Sequence, residues 1–192
     1  MLYINQRDYP NIPYPNNAEN NYQPPEKQNV AASGCGLCSL CMVVDHLTTQ
    51  KLGLEECVAL SVENKANIRF GTRMIILGPV IAEKFGLNFS HTSDKKEMLA
   101  CLGRGGRVIV NVANRPDGSR GLFCRTGHYM VLVSADGERI CFLDPYYGPE
   151  YKEGELKEKV DSSHAPILYC DADLLEYETE NREIKYYLFE RA

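Results

Sequence analysis

The apolar residues of this chain keep a helical spacing up to about residue 106 and change to β-branched and aromatic runs after it. This change limits the possible folds, because runs of helices followed by runs of strands are typical of α+β proteins. The predicted helices cover 36–47, 53–64, 72–86, 92–106 and 171–178, and the predicted strands cover 107–114, 128–135, 139–147 and 183–191. We therefore expect an α+β fold in which an N-terminal helical half packs on an antiparallel β-sheet.

Glycine, proline and capping residues predict where the helices end. Gly78-Pro79 indicates an interruption of the third helix, and Gly86 indicates its C-terminal end. Ser93 is the predicted N-cap of the fourth helix, and Gly103 is its predicted end.

Residues 1–30 are rich in Asn, Pro, Gln and Tyr and show neither a helical nor a strand period. Their prolines exclude a helix interior, and their tyrosines favour an extended segment that wraps on the rest of the chain. A length of 192 residues is within the size of one domain. We expect a single domain over 1–192 that begins with this extended segment.

Composition and charge exclude several classes of partner. The chain has a net charge of −5 and no cluster of Lys or Arg, so no nucleic-acid partner is expected. The longest apolar run, 74–82, is far shorter than the roughly 20 residues that span a bilayer, so no membrane span is expected. The first residues lack the basic and apolar regions of a secretory signal, which predicts a cytoplasmic location. The oligomeric state is not predicted.

Eight cysteines occur, several of them inside apolar runs, and we expect mostly free, buried thiols in a reducing compartment. Three of them, Cys35, Cys38 and Cys41, lie in the stretch SGCGLCSLCMVV. Their spacing begins like a bacterial iron–sulfur run, but the position of the fourth cysteine holds Asp45. A redox pair of the C-x-x-C type would follow a strand, whereas proline-rich coil precedes this one. No metal and no cofactor is therefore expected.

Two interpretations of the stretch remain: three packing residues, or one nucleophile followed by two packing residues. Cys35 has glycines on both sides, which would let a substrate carbonyl approach, and an apolar helix begins directly after it. The N-terminus of a helix lowers the pKa of a thiol, which favours Cys35 as a nucleophile. Cys38 and Cys41 lie one and two turns further on and are expected to be buried. A nucleophilic thiol also needs a base.

His128, one of four histidines, opens an apolar strand and is the candidate base. The strand belongs to a predicted hairpin, for which two registers fit the sequence. With a two-residue turn at 136–137, His128 faces Pro145; with a three-residue loop at 135–137, it faces Asp144. Only the second register brings His128 and Asp144 to one face of the sheet, where the carboxylate could orient the imidazole.

Four segments of the sequence together resemble a known family. They are INQRDYPNIPY near the start, SGCGLCSLCMV, TGHYMVLV and FLDPYYG, and they occur in this order over about 4–148. The chain resembles the papain-like cysteine peptidases of the double-glycine-leader (bacteriocin-processing) type. The resemblance implies a papain-like fold and a catalytic triad of Cys35 as nucleophile, His128 as general base and acid, and Asp144 as orienter.

The resemblance also implies a glutamine that stabilises the oxyanion. Gln6 matches the family pattern best, and Gln28, a few residues before the cysteine, is the alternative. The implied activity is hydrolysis of a peptide or amide bond in a peptide or protein substrate, through a thioester intermediate. The same residues would serve an acyl or peptidyl transferase, and a peptide-binding module that keeps the fold without turnover is the third possibility.

Overall fold

The computed structural model describes residues 1–15, 24–68 and 71–192. Its α-helices are α1 (Val30–Ser33), α2 (Cys35–Leu47), α3 (Leu54–Glu63), α4 (Met74–Phe85), α5 (Lys95–Gly103), α6 (Gly154–Lys159) and α7 (Ala172–Glu178). Its strands are β1 (Asn67–Ile68), β2 (Gly71–Thr72), β3 (Leu87–Thr92), β4 (Arg107–Val112), β5 (His128–Asp136), β6 (Arg139–Leu143), β7 (Asp161–His164), β8 (Ile167–Asp171) and β9 (Tyr186–Arg191). Short 3-10 helices cover Gln6–Asp8, Pro25–Lys27 and Pro149–Lys152.

Seven strands form one sheet in the order β3-β9-β4-β5-β6-β8-β7, and every neighbouring pair is antiparallel. Strands β1 and β2 pair separately. Within the described residues, no helix has the length and apolar character needed to cross a membrane.

Each face of the large sheet is covered by its own apolar cluster. Ile109, Val131 and Leu143 face the cluster that contains α2, α3 and α4. Their neighbours Val108 and Met130 face the opposite cluster, which contains α5 and α7. Alternate residues of a strand point to opposite faces, so one sheet serves both clusters. The predicted α+β class with helices on an antiparallel sheet is confirmed, and the fourth predicted helix lies on the face opposite to α2.

Two predictions about the helices are wrong: the interruption at Gly78-Pro79 and the N-cap at Ser93. Helix α4 continues through Pro79, and Gly78 is needed for packing, because a Cβ there would lie 2.5 Å from the Phe89 ring. The N-cap of α5 is Asp94, whose side chain accepts from the Lys96 N–H over 2.8 Å. Ser93 instead donates its hydroxyl to the backbone oxygen of Glu183. The predicted end at Gly86 is confirmed by its left-handed backbone.

Both predicted registers of the hairpin between β5 and β6 are wrong. Asp136 pairs with Arg139, so the turn consists of Gly137 and Glu138 and lies one residue later than predicted. Glycine at the first of two turn positions, here with φ of 58°, is typical of tight hairpins. A bulge between Leu132 and Ser134 then shifts the register once more.

Several strands differ from prediction. The strand predicted over 139–147 ends at Leu143, and the one predicted over 183–191 begins at Tyr186. Strands β7 and β8 were not predicted, although β8 contains the apolar residues of ILYCD. Strand β7 has the sequence DSSH, which has no apolar alternation to indicate a strand.

Candidate active site

Cys35 is the first residue of α2 and is 8% exposed. Two glycines allow the tight corner between α1 and α2. A Cβ on Gly34 would lie 2.5 Å from the Val30 carbonyl oxygen, and a Cβ on Gly36 would lie 2.9 Å from Thr72. The flanking glycines, which the sequence interpretation assigned to substrate access, therefore have a packing role. At this helix start the first backbone N–H groups have no partner within the helix.

His128 is the first residue of β5, where it pairs with Val112 of β4. Its Nε2 lies 2.6 Å from Oδ1 of Asp144, and its ring lies close enough to the Cys35 thiol for the two groups to shift each other's pKa. Because Nε2 is directed at the carboxylate, Nδ1 is the ring nitrogen left for the sulfur. The imidazole thus lies between the thiol and the carboxylate, although β5 and β6 do not adopt either predicted register.

Asp144 follows the last residue of β6 and is 2% exposed. Besides His128, it accepts the backbone N–H of Tyr146 over 2.6 Å and the hydroxyl of Tyr151 over 2.5 Å. Three donors fix the position of this carboxylate, as a buried charge requires. Tyr151 was not singled out in the sequence, because nothing local to the segment GPEYK indicates that the 3-10 helix turns it back to Asp144.

The three side chains shift one another's pKa values. Burial by itself would raise the pKa of the Cys35 thiol, but the neighbouring His128 imidazole outweighs burial and lowers that pKa. Burial would lower the pKa of His128, but Asp144 and Cys35 raise it to about 10. Burial opposes the charge of Asp144 as well, yet His128 and Tyr151 keep the pKa of its carboxyl below the usual range. All three shifts favour the charged forms of these groups: a thiolate, an imidazolium and a carboxylate.

Gln6 lies beside these residues, because the N-terminal segment wraps on the turn that follows β6. The backbone N–H of Gln6 donates to the backbone oxygen of Pro145 over 2.7 Å. The Tyr3 hydroxyl donates to the backbone oxygen of Asp144 over 2.9 Å. The Gln6 amide donates to the Ala31 oxygen over 2.8 Å, which uses one of its two N–H groups. The predicted wrapping of the N-terminal segment is confirmed for residues 1–15, and 16–23 lie outside the described residues.

A cavity of about 470 Å³ opens onto Cys35, His128, Asp144 and Gln6, which are all among its lining residues. Gln28, the alternative glutamine, is not among them, and its backbone oxygen accepts from the Tyr14 N–H. The other histidines lie elsewhere: His46 bonds to the Leu2 oxygen, and His91 and His164 are exposed. The structure thus brings together the three triad candidates and one of the two candidate glutamines.

The remaining cysteines are free thiols, and none of the eight is in a disulfide. Cys38 and Cys41 are fully buried in the core, as predicted for packing residues of α2. Burial raises the pKa of Cys38 well above that of an ordinary thiol. Cys124 also lines the cavity, which the sequence did not indicate, and burial raises its pKa to about 12. No metal-binding group of His, Cys, Asp or Glu side chains occurs among the described residues.

Comparisons with known proteins identify the fold. No protein-family model and no curated protein sequence matches the chain. The peptidase domain of Streptococcus ComA, a bifunctional ABC transporter involved in quorum sensing, superposes with a TM-score of 0.51 at 15% identity, over 82% of this chain and 91% of that domain. A Bacillus anthracis protein described as a C39-like peptidase gives 0.53 at 13% identity, over 83% and 89%. The chain therefore has the papain-like fold of the C39, or bacteriocin-processing, cysteine peptidases, as its sequence predicted.

Proposed function

We propose that this protein is a cysteine peptidase-like hydrolase that cleaves a peptide or amide bond with Cys35, His128 and Asp144 as its catalytic triad. The observation that carries the proposal is that the three side chains line one cavity, where the imidazole of His128 is bound to the carboxylate of Asp144 over 2.6 Å and lowers the pKa of the Cys35 thiol. A peptidase-like fold alone does not require this arrangement, since folds host many functions. The proposal therefore depends on the site.

In the proposed reaction the Cys35 thiolate attacks the carbonyl carbon of the substrate and forms a C–S bond. The carbonyl electron pair moves to oxygen and gives a tetrahedral oxyanion. When this oxyanion collapses, the C–N bond breaks and the His128 imidazolium protonates the leaving amine. Water then gives a proton to the now neutral His128 and attacks the thioester; the C–S bond breaks, the acid leaves, and the Cys35 thiolate and His128 imidazolium are restored.

Two groups are placed to stabilise the oxyanion. The Cys35 backbone N–H is at the start of α2, and Gln6 keeps one amide N–H beyond the one that binds Ala31. Gln6 is 3% exposed and its backbone is tied to Pro145, so its amide is held in place before substrate binds. We assign it the oxyanion role in preference to Gln28, because only Gln6 lines the cavity.

The experiment that tests the proposal measures the reactivity of Cys35. Iodoacetamide at mildly acidic pH should alkylate Cys35 selectively, because burial raises the pKa of Cys38 and of Cys124, so both thiols stay protonated. Mass spectrometry of the digested protein locates the modified thiol. The His128→Ala variant should lose the selective reaction while Cys124→Ser keeps it. Equal, slow modification of all eight cysteines would contradict the proposal and favour a binding module.

A positive labelling result leaves the acceptor to be identified. Hydrolysis of a peptide library, followed by mass spectrometry, should give products with free carboxyl termini if water resolves the thioester. Products that instead carry an added amine would identify an acyl or peptidyl transferase with the same triad.

A further inference from the structure

Three cations border the candidate active-site cavity and form no ion pair within the part of the chain that the structure describes. They are Lys27, from the segment before α1, and Arg120 and Arg125, from the long connection between β4 and β5. All three are exposed. Across the described ranges, none of them has a carboxylate within ion-pair distance, although eleven such bridges occur elsewhere.

Each carboxylate that lines the same cavity has a cationic partner. Asp144 faces the His128 imidazole, and Glu150 is paired with Arg7. The Arg7 guanidinium is fixed in turn over the Tyr146 ring, 3.7 Å from its centre. Although the chain has a net charge of −5, the described lining of this cavity carries three cations without a carboxylate partner. Lining a cleft with one sign of charge raises the local concentration of oppositely charged ligands.

Arg120 lies at the edge of this positive region. It also lines an adjoining depression together with Glu153. That carboxylate reduces the potential on its outer side, so Lys27 and Arg125 are the cations that best report on the cavity.

The connection that carries Arg120 and Arg125 is held in place by the segment after β8. Glu178, fully buried, accepts the Leu122 N–H over 2.5 Å. Arg182 donates to the Thr126 oxygen over 3.0 Å, and a Cβ on Gly127 would lie 2.3 Å from the same guanidinium. A wall fixed in this way loses little conformational freedom when a ligand binds.

We propose that this cavity selects peptides that carry a carboxylate near the bond that Cys35 attacks. The carboxylate can belong to an Asp or Glu side chain or to the C-terminus of the peptide, since both present the same charge and geometry. The inference rests on the proposed peptidase function, and its tests are chosen so that the two can fail separately.

The first test compares two alkylating reagents of similar size, anionic iodoacetate and neutral iodoacetamide. The ratio of their rates at Cys35 reports the potential of the cavity, while the iodoacetamide rate alone reports the nucleophile. In the Lys27→Glu/Arg125→Glu variant, the iodoacetate rate divided by the iodoacetamide rate should fall about fivefold at low salt. Added salt should bring the ratios of the variant and the unmodified protein closer together. The control Lys51→Glu reverses the charge of an exposed cation that lines none of the described cavities, and its ratio should not change.

The outcomes separate the two proposals. If iodoacetamide does not select Cys35 in the unmodified protein, the peptidase function fails and this inference fails with it. If Cys35 is selected but the double variant and the Lys51→Glu control give the same ratio, only the selection of carboxylates is overturned.

The second test identifies the source of the carboxylate without requiring turnover. Peptides that differ only in Glu against Gln, or in a free against an amidated C-terminus, are compared for protection of Cys35 from iodoacetamide. We expect protection at lower concentration by the peptide with the carboxylate, in one pair or in both, and loss of the difference in Lys27→Glu/Arg125→Glu. Equal protection within both pairs, or no protection by any peptide, would overturn the inference.

Discussion

The Tyr151 hydroxyl donates to Oδ2 of Asp144 over 2.5 Å, and neither side chain is more than 2% exposed. His128 occupies Oδ1 of the same carboxylate. The carboxylate therefore cannot rotate without breaking a buried hydrogen bond to a charged group, which is among the stronger kinds. Tyr151 touches no reacting atom and is a positioning residue.

When the rate of Cys35 alkylation is plotted against pH, its fall on the acidic side should occur at higher pH after replacement of Tyr151 by Phe. We call this fall the acid limb. The carboxyl of Asp144 has a lowered pKa, so its support of His128 is present above that pKa and is lost as pH falls through it. Without the tyrosine hydroxyl this pKa rises, and the loss occurs at a higher pH. Rates of iodoacetamide modification measured across acidic pH would show the shift.

Tyr147→Phe is the control for this prediction. Tyr147 packs on Tyr151 with ring centres 5.1 Å apart, and no described contact involves its hydroxyl. The acid limb should stay in place in this variant. A shift of equal size in both variants would show that ring packing, and not the hydrogen bond to Asp144, determines the pH of the acid limb.

The ring of His128 should titrate far above an ordinary histidine. Its pKa is raised from 6.5 to about 10, so the imidazolium is retained below that pH and lost as pH rises through it. In Asp144→Asn the largest stabilising charge is gone, and the midpoint should move back towards 6.5. NMR titration of the ring protons measures both midpoints, and an ordinary midpoint in the unmodified protein would refute the raised pKa.

Gln6→Ala should lower kcat by about 10²- to 10³-fold, the usual effect of removing one oxyanion donor. Gln28→Ala should leave kcat close to that of the unmodified protein, because Gln28 does not line the cavity. Hydrolysis of a peptide identified from the library supplies the measurement. Alkylation of Cys35 forms no oxyanion, so its rate should be the same in both variants and serves as the control for folding. A larger loss in Gln28→Ala than in Gln6→Ala would reverse the assignment.

Glu178→Gln should lower the free energy of unfolding by about 2 kcal/mol, because it weakens buried bonds to a charged group. Glu178 is fully buried and binds both Arg115, over 3.0 Å, and the Leu122 N–H. Glu155 binds the same Arg115 from a partly exposed position, so Glu155→Gln should cost less than about 1 kcal/mol. Urea unfolding of the two variants provides the comparison, and equal losses would contradict the role of the buried carboxylate.

The sequence was informative where local patterns decide the structure. Helix α2 and the left-handed end at Gly86 follow from apolar spacing and glycine, which act over a few residues. The interruption predicted from Gly78-Pro79 does not occur, because Gly78 is required by the Phe89 ring and not by a break in the helix. The local sequence around Gly78 does not reveal that helix α4 packs on the Phe89 ring of strand β3.

The site shows the same division. Cys35, His128 and Asp144 could be selected by residue type, order and the ends of elements, and the structure places all three at one cavity. The reason given for the closeness of His128 and Asp144 was nevertheless wrong, since the bulge after Leu132 changes the register. A bulge depends on packing on both faces of a sheet, which alternation in one strand does not specify. Tyr151 and the cations around the cavity became visible only in three dimensions.

The hydrogen bond from the Tyr3 hydroxyl to the backbone oxygen of Asp144 joins residues 141 positions apart, and it has a consequence for protein synthesis. The ribosome releases Gln6 and Cys35 early, but the turn that holds Gln6 is made only when the chain is most of the way through translation. Until then the thiol has neither its imidazole nor the turn that holds Gln6 against Pro145. The order of the segments along the chain therefore delays assembly of the candidate site until residues 128–145 have been synthesised.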